Sequence, residues 1–120
     1  MPDHQVRRFL LDFKEAVTAG RGIDIVPREN TLLTLRFLGL TKQNLEEIVL
    51  SLSVADYCSG PEPDRARGGE IWVFGAAVDN YEVYIKLKLA EVSGTKIPKC
   101  LSFHISKHPL QYPYRPTQDN

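Results

Sequence analysis

The clearest pattern of hydrophobic and polar positions in this chain lies in residues 81–92, YEVYIKLKLAEV. Apolar and polar side chains alternate there with a period of two, which is the spacing of the two faces of a β-strand. One face has Tyr81, Val83, Ile85, Leu87 and Leu89, and the other has Glu82, Tyr84, Lys86 and Lys88. The pattern predicts a half-buried strand whose open face carries a phenol and two ammonium groups.

The segments on either side of this strand predict two partners for it. Residues 70–78 (EIWVFGAAV) form an apolar run, and Asp79-Asn80 then provides a two-residue link suited to a tight hairpin. Residues 93–96 (SGTK) are typical of a turn, and residues 99–105 alternate again. The sequence therefore predicts a C-terminal meander of three antiparallel strands.

The alternation in residues 99–105 also predicts which side chains share a face. Leu101, Phe103 and Ile105 alternate with Cys100, Ser102 and His104. If the apolar sets of neighbouring strands point to one core, His104 and Ser102 lie on the open surface beside Tyr84 and Lys86.

Helical spacing dominates the N-terminal half of the chain. Residues 3–19 predict an amphipathic helix that ends at Gly20 and Gly22. Its apolar stripe is Val6, Phe9, Leu10, Phe13 and Val17. Residues 23–26 (IDIV) then predict a short edge strand, which Pro27 closes.

Two shorter helices are predicted next. Asn30 is a suitable cap for a helix over residues 31–38, which Gly39 ends. Its apolar positions are Leu32, Leu33, Leu35 and Leu38. Thr41 caps the following helix, whose apolar stripe is Leu45, Ile48, Val49 and Leu52.

Glycine and proline mark the segments that we expect to lack regular structure. Residues 53–69 predict a loop that carries Arg65 and Arg67, and residues 111–120 predict an extended tail after a single domain of residues 1–110. The order of one helix, one strand, two helices and three strands predicts an α+β domain. In it, the helices pack on one face of a small antiparallel sheet.

The composition fits one globular domain. The chain has 120 residues, of which 42% are apolar and 25% are charged, and these values are ordinary for a soluble protein. No run approaches the roughly 18 apolar residues of a membrane span, and the N-terminus lacks the apolar core of a signal peptide. We therefore expect a cytoplasmic protein without membrane contact.

The net charge is zero, which argues against strong nonspecific binding of nucleic acid. The charges are nevertheless uneven, because residues 81–120 contain six basic and three acidic side chains. A local cationic sheet face can bind phosphate even when the total charge is balanced. The alternative is that lysines on an exposed strand only keep the sheet soluble.

The cysteines and histidines do not predict a metal centre. Cys58 and Cys100 lie in no CxxC or His/Cys cluster, and the spacing of the histidines at positions 4, 104 and 108 does not require them to converge. We expect reduced thiols, no metal and no cofactor.

Several segments, in their order and spacing, resemble the MqsR family of bacterial toxins. They are residues 30–57, the Ile71-Trp72 pair, residues 83–89 (VYIKLKL) and the Ser102-Phe103 pair. Members of that family are ribosome-independent mRNA interferases of toxin–antitoxin pairs and have the RelE-like fold. The resemblance implies metal-independent cleavage of mRNA, a cognate antitoxin protein and a higher-order toxin–antitoxin complex.

Three residues of the predicted open face are candidates for catalysis. In such cleavage the ribose 2′-OH attacks the adjacent phosphate, so the site needs a base, an acid and a cation. The resemblance places Tyr84 and Lys86 on active-site strand positions, with Lys86 stabilising the phosphorane and Tyr84 positioning substrate or donating a proton. His104 is the third candidate, because imidazole titrates near neutral pH. A structural, hydrogen-bonded histidine is the alternative.

Four further residues are candidate RNA contacts. Lys88 lies on the predicted open face, and Arg65 and Arg67 lie on the loop, where they meet phosphates or are simply solvated. Trp72 is a candidate for base stacking at the edge of the site, although core packing is the favoured interpretation of its strand position.

The sequence departs from the family pattern at three positions. His104 stands where the family has a lysine, Val73 stands where a glutamine is known, and Ser59 stands where another lysine is known. His104 can replace a catalytic group, but the losses at Ser59 and Val73 leave a second hypothesis open. In it, the same fold is a noncatalytic RNA- or protein-binding module. A third hypothesis is a small structural domain with no role on nucleic acid.

Overall fold

The computed structural model describes residues 3–20 and 22–116. Three α-helices pack on one mixed sheet of five strands. The helices are α1 (His4–Ala19), α2 (Glu29–Leu38) and α3 (Lys42–Leu50), and a single 3-10 turn covers Val54–Asp56. The strands are β1 (Asp24–Ile25), β2 (Tyr57–Pro63), β3 (Glu70–Val78), β4 (Tyr81–Val92) and β5 (Thr95–Ile105). Within the described ranges, no helix combines the length and apolar character needed to cross a membrane.

The strands lie in the order β1-β5-β4-β3-β2. The pairs β2–β3, β3–β4 and β4–β5 are antiparallel, whereas β1 pairs parallel with β5. The prediction of a purely antiparallel sheet is therefore wrong, because β1 runs in the same direction as its neighbour β5. The predicted edge position of this short strand is confirmed.

The core lies between the sheet and the helices α1 and α3. The whole predicted apolar stripe of α1 is buried, and Phe9 stacks on Trp72 with ring centroids 4.8 Å apart. Thr41 caps α3 as predicted, because its side chain accepts a hydrogen bond from the Asn44 amide. Burial on this one side leaves the other face of the sheet available for polar side chains.

Helix α2 differs from its prediction in both its cap and its buried face. The N-cap is Arg28, so the predicted Asn30 cap is wrong. Leu32 and Leu33 of the predicted apolar set are 45% and 50% exposed. The buried residues of this helix are instead two threonines, because α2 lies along the edge of β5 and makes polar contacts there.

Thr31 ties α2 to the sheet. Its side chain is 1% exposed, and its hydroxyl oxygen accepts a hydrogen bond of 3.1 Å from the backbone amide of Phe103. The short strand β1 pairs with β5 only at Lys99 and Cys100. The threonine therefore satisfies a buried amide of β5 that lies beyond β1.

Strand β2 occupies part of the segment predicted to be a loop, so that prediction is wrong for residues 57–63. The strand lies at the edge of the sheet, and its pairing with β3 shifts register at two places. Edge position and bulges are the two conditions under which a strand accommodates Pro61 and Pro63.

The β3–β4 hairpin agrees with its prediction. Asp79 and Asn80 have φ of 50° and 70°, as a tight two-residue link between right-twisted strands requires. Strand β5 begins at Thr95, four residues before its predicted start.

An irregularity near Leu101 changes the alternation along β5. Phe103 pairs with Ile85 and Cys100 pairs with Leu87, so β5 has one residue more than β4 between the two pairs. Cys100 consequently lies in the core. Its predicted position on the open face is wrong.

We expect Thr31→Val to lower the free energy of unfolding by about 1–3 kcal/mol, because valine keeps the volume but leaves the buried Phe103 amide without its acceptor. Urea denaturation measures the change. Thr18→Val, on the exposed side of α1, is the control and should change the value by less than about 0.5 kcal/mol. Equal losses in both variants would contradict the role assigned to Thr31.

Candidate functional site

The face of the sheet turned away from the core, here called the open face, gathers the catalytic candidates in two adjacent cross-strand rows. One row consists of Ser59, Val73, Lys86 and Ser102, on β2, β3, β4 and β5. The next row consists of Gly75, Tyr84 and His104. The register confirms that Ser102 and His104 lie beside Lys86 and Tyr84.

The rings of Tyr84 and His104 stack on each other, with centroids 5.0 Å apart and an interplanar angle of 20°. Nδ1 of His104 lies 3.0 Å from the carbonyl oxygen of Ile105. Because a carbonyl only accepts hydrogen bonds, this contact favours the tautomer with hydrogen on Nδ1. Nε2 of the neutral ring is then a proton acceptor.

Lys86 supplies a cation to the open face. Its Nζ lies 6.0 Å from the centroid of the Tyr84 ring, and its side chain is half-buried. Among residues 3–20 and 22–116, no carboxylate forms an ion pair with it. The ammonium group is therefore available to an anionic ligand.

Arg28 is a candidate that the sequence reasoning missed. Its Nη1 donates a hydrogen bond of 3.3 Å to the hydroxyl oxygen of Ser102, which brings a second cation to the row of Lys86. Arg28 is the N-cap of α2 and precedes Ser102 by 74 residues. No local motif signals this contact, since it depends on how α2 packs against the edge of β5.

Tyr84 is held in its protonated form at neutral pH. Burial raises the pKa of its hydroxyl above the ordinary value of 10.0, the negative charge of Glu62 raises it further, and Arg28 opposes the shift. A phenol in this state donates hydrogen bonds and does not act as a base.

Lys88 does not lie on the exposed part of the open face. Its side chain is 6% exposed, and its Nζ lies 2.7 Å from a carboxylate oxygen of Asp64. The other oxygen of Asp64 accepts hydrogen bonds from the backbone amides of Ala66 and Arg67. The expectation of an exposed Lys88 is wrong, because this lysine instead anchors the loop between β2 and β3.

The other candidate RNA contacts lie outside the two rows. Arg65 and Arg67 are exposed on the loop that Asp64 and Lys88 hold. Trp72 is 6% exposed and lies in the core. The favoured interpretation of Trp72 as a core residue is confirmed, and this burial leaves little of the side chain exposed for base stacking.

Residues 110–115, here called the docked tail, close one end of the open face. The carboxylate of Glu82 accepts hydrogen bonds from the Leu110 amide at 2.9 Å and from the Tyr112 hydroxyl at 2.7 Å. Burial, followed by the hydrogen bond to Glu82, raises the pKa of Tyr112. A side chain at Gly75 would collide with the Tyr112 hydroxyl, so the glycine lets the tail lie against the sheet.

Arg115 fixes the far end of the docked tail. Its guanidinium group stacks on the Tyr112 ring at 3.6 Å from the centroid, and it contacts the Asp56 carboxylate at 3.1 Å. The predicted extended tail is thus held against the domain as far as this residue, and its residues 117–120 lie outside the described residues.

Neither cysteine has the properties of a nucleophile. Burial raises the pKa of Cys58 to about 11 and that of Cys100 to about 12, so both thiols are protonated at neutral pH. In the part of the chain that the structure describes, no three His, Cys, Asp or Glu residues are grouped as metal ligands.

The Lys88–Asp64 pair predicts a dependence of stability on pH. The hydrogen bond from Lys88 holds the pKa of Asp64 below its ordinary value of 3.8, so the pair stabilises the fold above about pH 4 and this contribution is lost as pH falls through the lowered pKa. Asp64→Asn should therefore be less stable than the parent at neutral pH.

Denaturant unfolding of the parent and Asp64→Asn at a series of pH values measures this effect. The difference in unfolding free energy should shrink below about pH 4. Lys88→Met is the matched variant, because it removes the buried ammonium and should destabilise less than Asp64→Asn, which leaves that charge unpaired. A difference that stays constant down to about pH 2 would contradict the assignment.

The open face therefore combines a cation, a phenol donor and an imidazole acceptor in two neighbouring rows, with a second cation at their edge. One end of this face is closed by the docked tail and the other by the Lys88–Asp64 pair. Comparisons with protein-family models, with curated proteins and with solved structures found no match for this chain.

Proposed function

We propose that this chain is the toxin of a toxin–antitoxin pair and cleaves mRNA without a metal, by attack of the ribose 2′-OH on the adjacent phosphate. The observation that carries the proposal is the register that brings Lys86, Tyr84 and His104 together on the open face. These groups match the cation, the acid and the base that the reaction needs.

The same register supports the resemblance to MqsR toxins and a RelE-like fold. The positions at which that resemblance locates functional residues all fall in the two adjacent rows: Ser59, Val73, Tyr84, Lys86 and His104. These positions come from four different strands, and their order in the sequence does not require them to be neighbours. Their convergence is therefore evidence independent of the short motifs.

The proposed mechanism moves one proton on each side of the phosphate. Nε2 of His104 takes the proton of the 2′-OH as the O2′ atom bonds to phosphorus and the bond between phosphorus and O5′ breaks. The leaving O5′ receives a proton from the Tyr84 hydroxyl, whose raised pKa keeps it protonated beforehand. The products are a 2′,3′-cyclic phosphate and a 5′-hydroxyl end.

In this mechanism Lys86 and Arg28 stabilise the charge of the phosphorane. Arg28 reaches the row of Lys86 through Ser102, and Ser59 of the same row stands where the family has a lysine. We propose that Arg28 supplies from α2 part of the charge missing at Ser59.

The noncatalytic binding module is the second candidate function. It is favoured by the neutral side chains of Ser59 and Val73 in the row of Lys86, since they offer less stabilisation to a phosphorane. It predicts binding of RNA or protein to the open face without cleavage.

Lys86→Ala should lower the rate of RNA cleavage by about 10²–10³-fold, because it removes a charge aimed at the transition state. The measurement uses a defined single-stranded RNA with excess EDTA and identifies the new ends. Lys96→Ala is the control, since Lys96 is an exposed lysine on the neighbouring strand β5 and pairs with Glu91, five residues along β4 from Lys86.

The ribonuclease is supported if the parent and Lys96→Ala both cleave the RNA and leave cyclic phosphate ends. Folded Lys86→Ala alone should lose this cleavage. Binding of RNA by the folded parent without cleavage, across several RNAs, would replace it with the binding module. Identical cutting by all three proteins would contradict the role assigned to Lys86.

His104→Ala should lower the cleavage rate by about 10²–10⁴-fold, as expected for loss of a general base. The parent rate should fall on the acid side of the pH–rate profile, because protonation inactivates the base. The residual rate of His104→Ala should lack this fall. Single-turnover rates between about pH 5 and pH 9 test this. His108→Ala, on the exposed segment after β5, should keep the parent profile. Unchanged rate and profile in His104→Ala would exclude His104 as the base.

A further inference from the structure

An exposed apolar patch lies on α2 and at the start of β4. Leu33 and Phe37 are 50% and 64% exposed, and because they are four residues apart they lie on one side of the helix. The ring of Tyr81, which is 41% exposed, meets Phe37 edge-on with ring centroids 5.5 Å apart. Single exposed apolar residues are normal, but a group of them beside a cavity indicates a binding surface.

The patch borders a shallow cavity between α2 and the end of β5, here called the α2–β5 pocket. The pocket is lined by Asn30, Leu33, Thr34, Phe37, His104, Ile105 and Lys107. Apolar side chains alternate there with an amide, a hydroxyl, an imidazole and an ammonium group, and no carboxylate is among the described residues of the lining. This chemistry fits a ligand with a flat apolar face, polar edges and negative charge.

His104 connects the α2–β5 pocket to the catalytic rows. His104 is one of the residues that line the pocket, and its ring stacks on Tyr84, so the pocket borders the residue assigned as the base. An RNA strand whose reacting phosphate lies between Lys86 and His104 therefore brings an adjacent nucleotide to the pocket.

We propose that the α2–β5 pocket binds the base of a nucleotide next to the cleaved bond in single-stranded RNA and so contributes to sequence selectivity. This inference rests on the proposed ribonuclease function. Phe37 provides the stacking surface, and the Asn30 amide provides a donor and an acceptor for the base edge. Lys107 provides a cation for a flanking phosphate.

Charge and size favour a nucleotide over a protein at this place. The exposed apolar part consists of Leu33, Phe37 and Tyr81, which is small for a stable protein interface of the usual area. Lys107 is the cationic side chain of the described pocket lining, and it favours a phosphate over an apolar helix. A second copy of the chain is nevertheless an outcome that the experiment distinguishes.

The test measures binding of an RNA that contains the bond cleaved by the parent protein. In this RNA, hydrogen replaces the attacking 2′-OH, so that it binds without being cleaved. Removing the base of one flanking nucleotide should weaken binding to the parent about 5- to 100-fold, the range of one base–aromatic stack. Phe37→Ala should weaken binding of the intact RNA to a similar extent. This variant should bind the intact RNA and the RNA without that base equally well. Leu11→Ala, 52% exposed on α1, is the control and should bind as the parent does.

Phe37→Tyr should restore the parent affinity, whereas Phe37→Leu, which retains an apolar side chain and removes the ring, should bind as weakly as Phe37→Ala. If Phe37→Ala and Phe37→Leu both bind the intact and the abasic RNA as the parent does, the proposed base-binding role of the pocket is wrong. Cleavage that depends on Lys86 would in that case still support the ribonuclease. A parent that neither binds nor cleaves RNA removes both proposals. A parent dimer that Phe37→Ala converts to a monomer in light scattering would assign the patch to a second copy.

Discussion

The register between β4 and β5 is the constraint on which the rest of this structure depends. Val83, Ile85 and Leu87 are each 0% exposed, and each buried side chain of this kind contributes roughly 1.5–3 kcal/mol. A slip of one residue would exchange these side chains with Tyr84 and Lys86, so it is strongly disfavoured. The arrangement of polar groups on the open face is thus fixed by apolar burial on the opposite face.

The parts of the fold and of the site that follow from strand alternation could be predicted from the sequence. The period of two in β4, together with the hairpin at Asp79 and Asn80, places Tyr84 and Lys86 on one face, and the pattern after Leu101 places His104 with them. These features depend on neighbours in sequence and on one core. Both are visible without a structure.

The remaining features depend on contacts between residues that are far apart in the chain. The alternation along β4 predicts Lys88 to be exposed on the open face, but the lysine is buried and pairs with Asp64, 24 residues earlier in the chain. Arg28 joins the site because it caps α2. The buried residues of that helix are two threonines where the helical pattern predicts leucines, and one of them, Thr31, binds the edge of the sheet. Strand β2 has the composition of a loop, and only its edge position explains how its prolines fit.

The docked tail also has a consequence for how the protein is made. The two donors that reach Glu82 come 28 and 30 residues after it in the chain, so a ribosome synthesises the whole of β4 and β5 before either donor exists. During that interval the nascent chain has strand β4 but not the segment that closes the end of the open face. Vectorial synthesis therefore separates the time at which Tyr84 and Lys86 are made from the time at which their surface is complete.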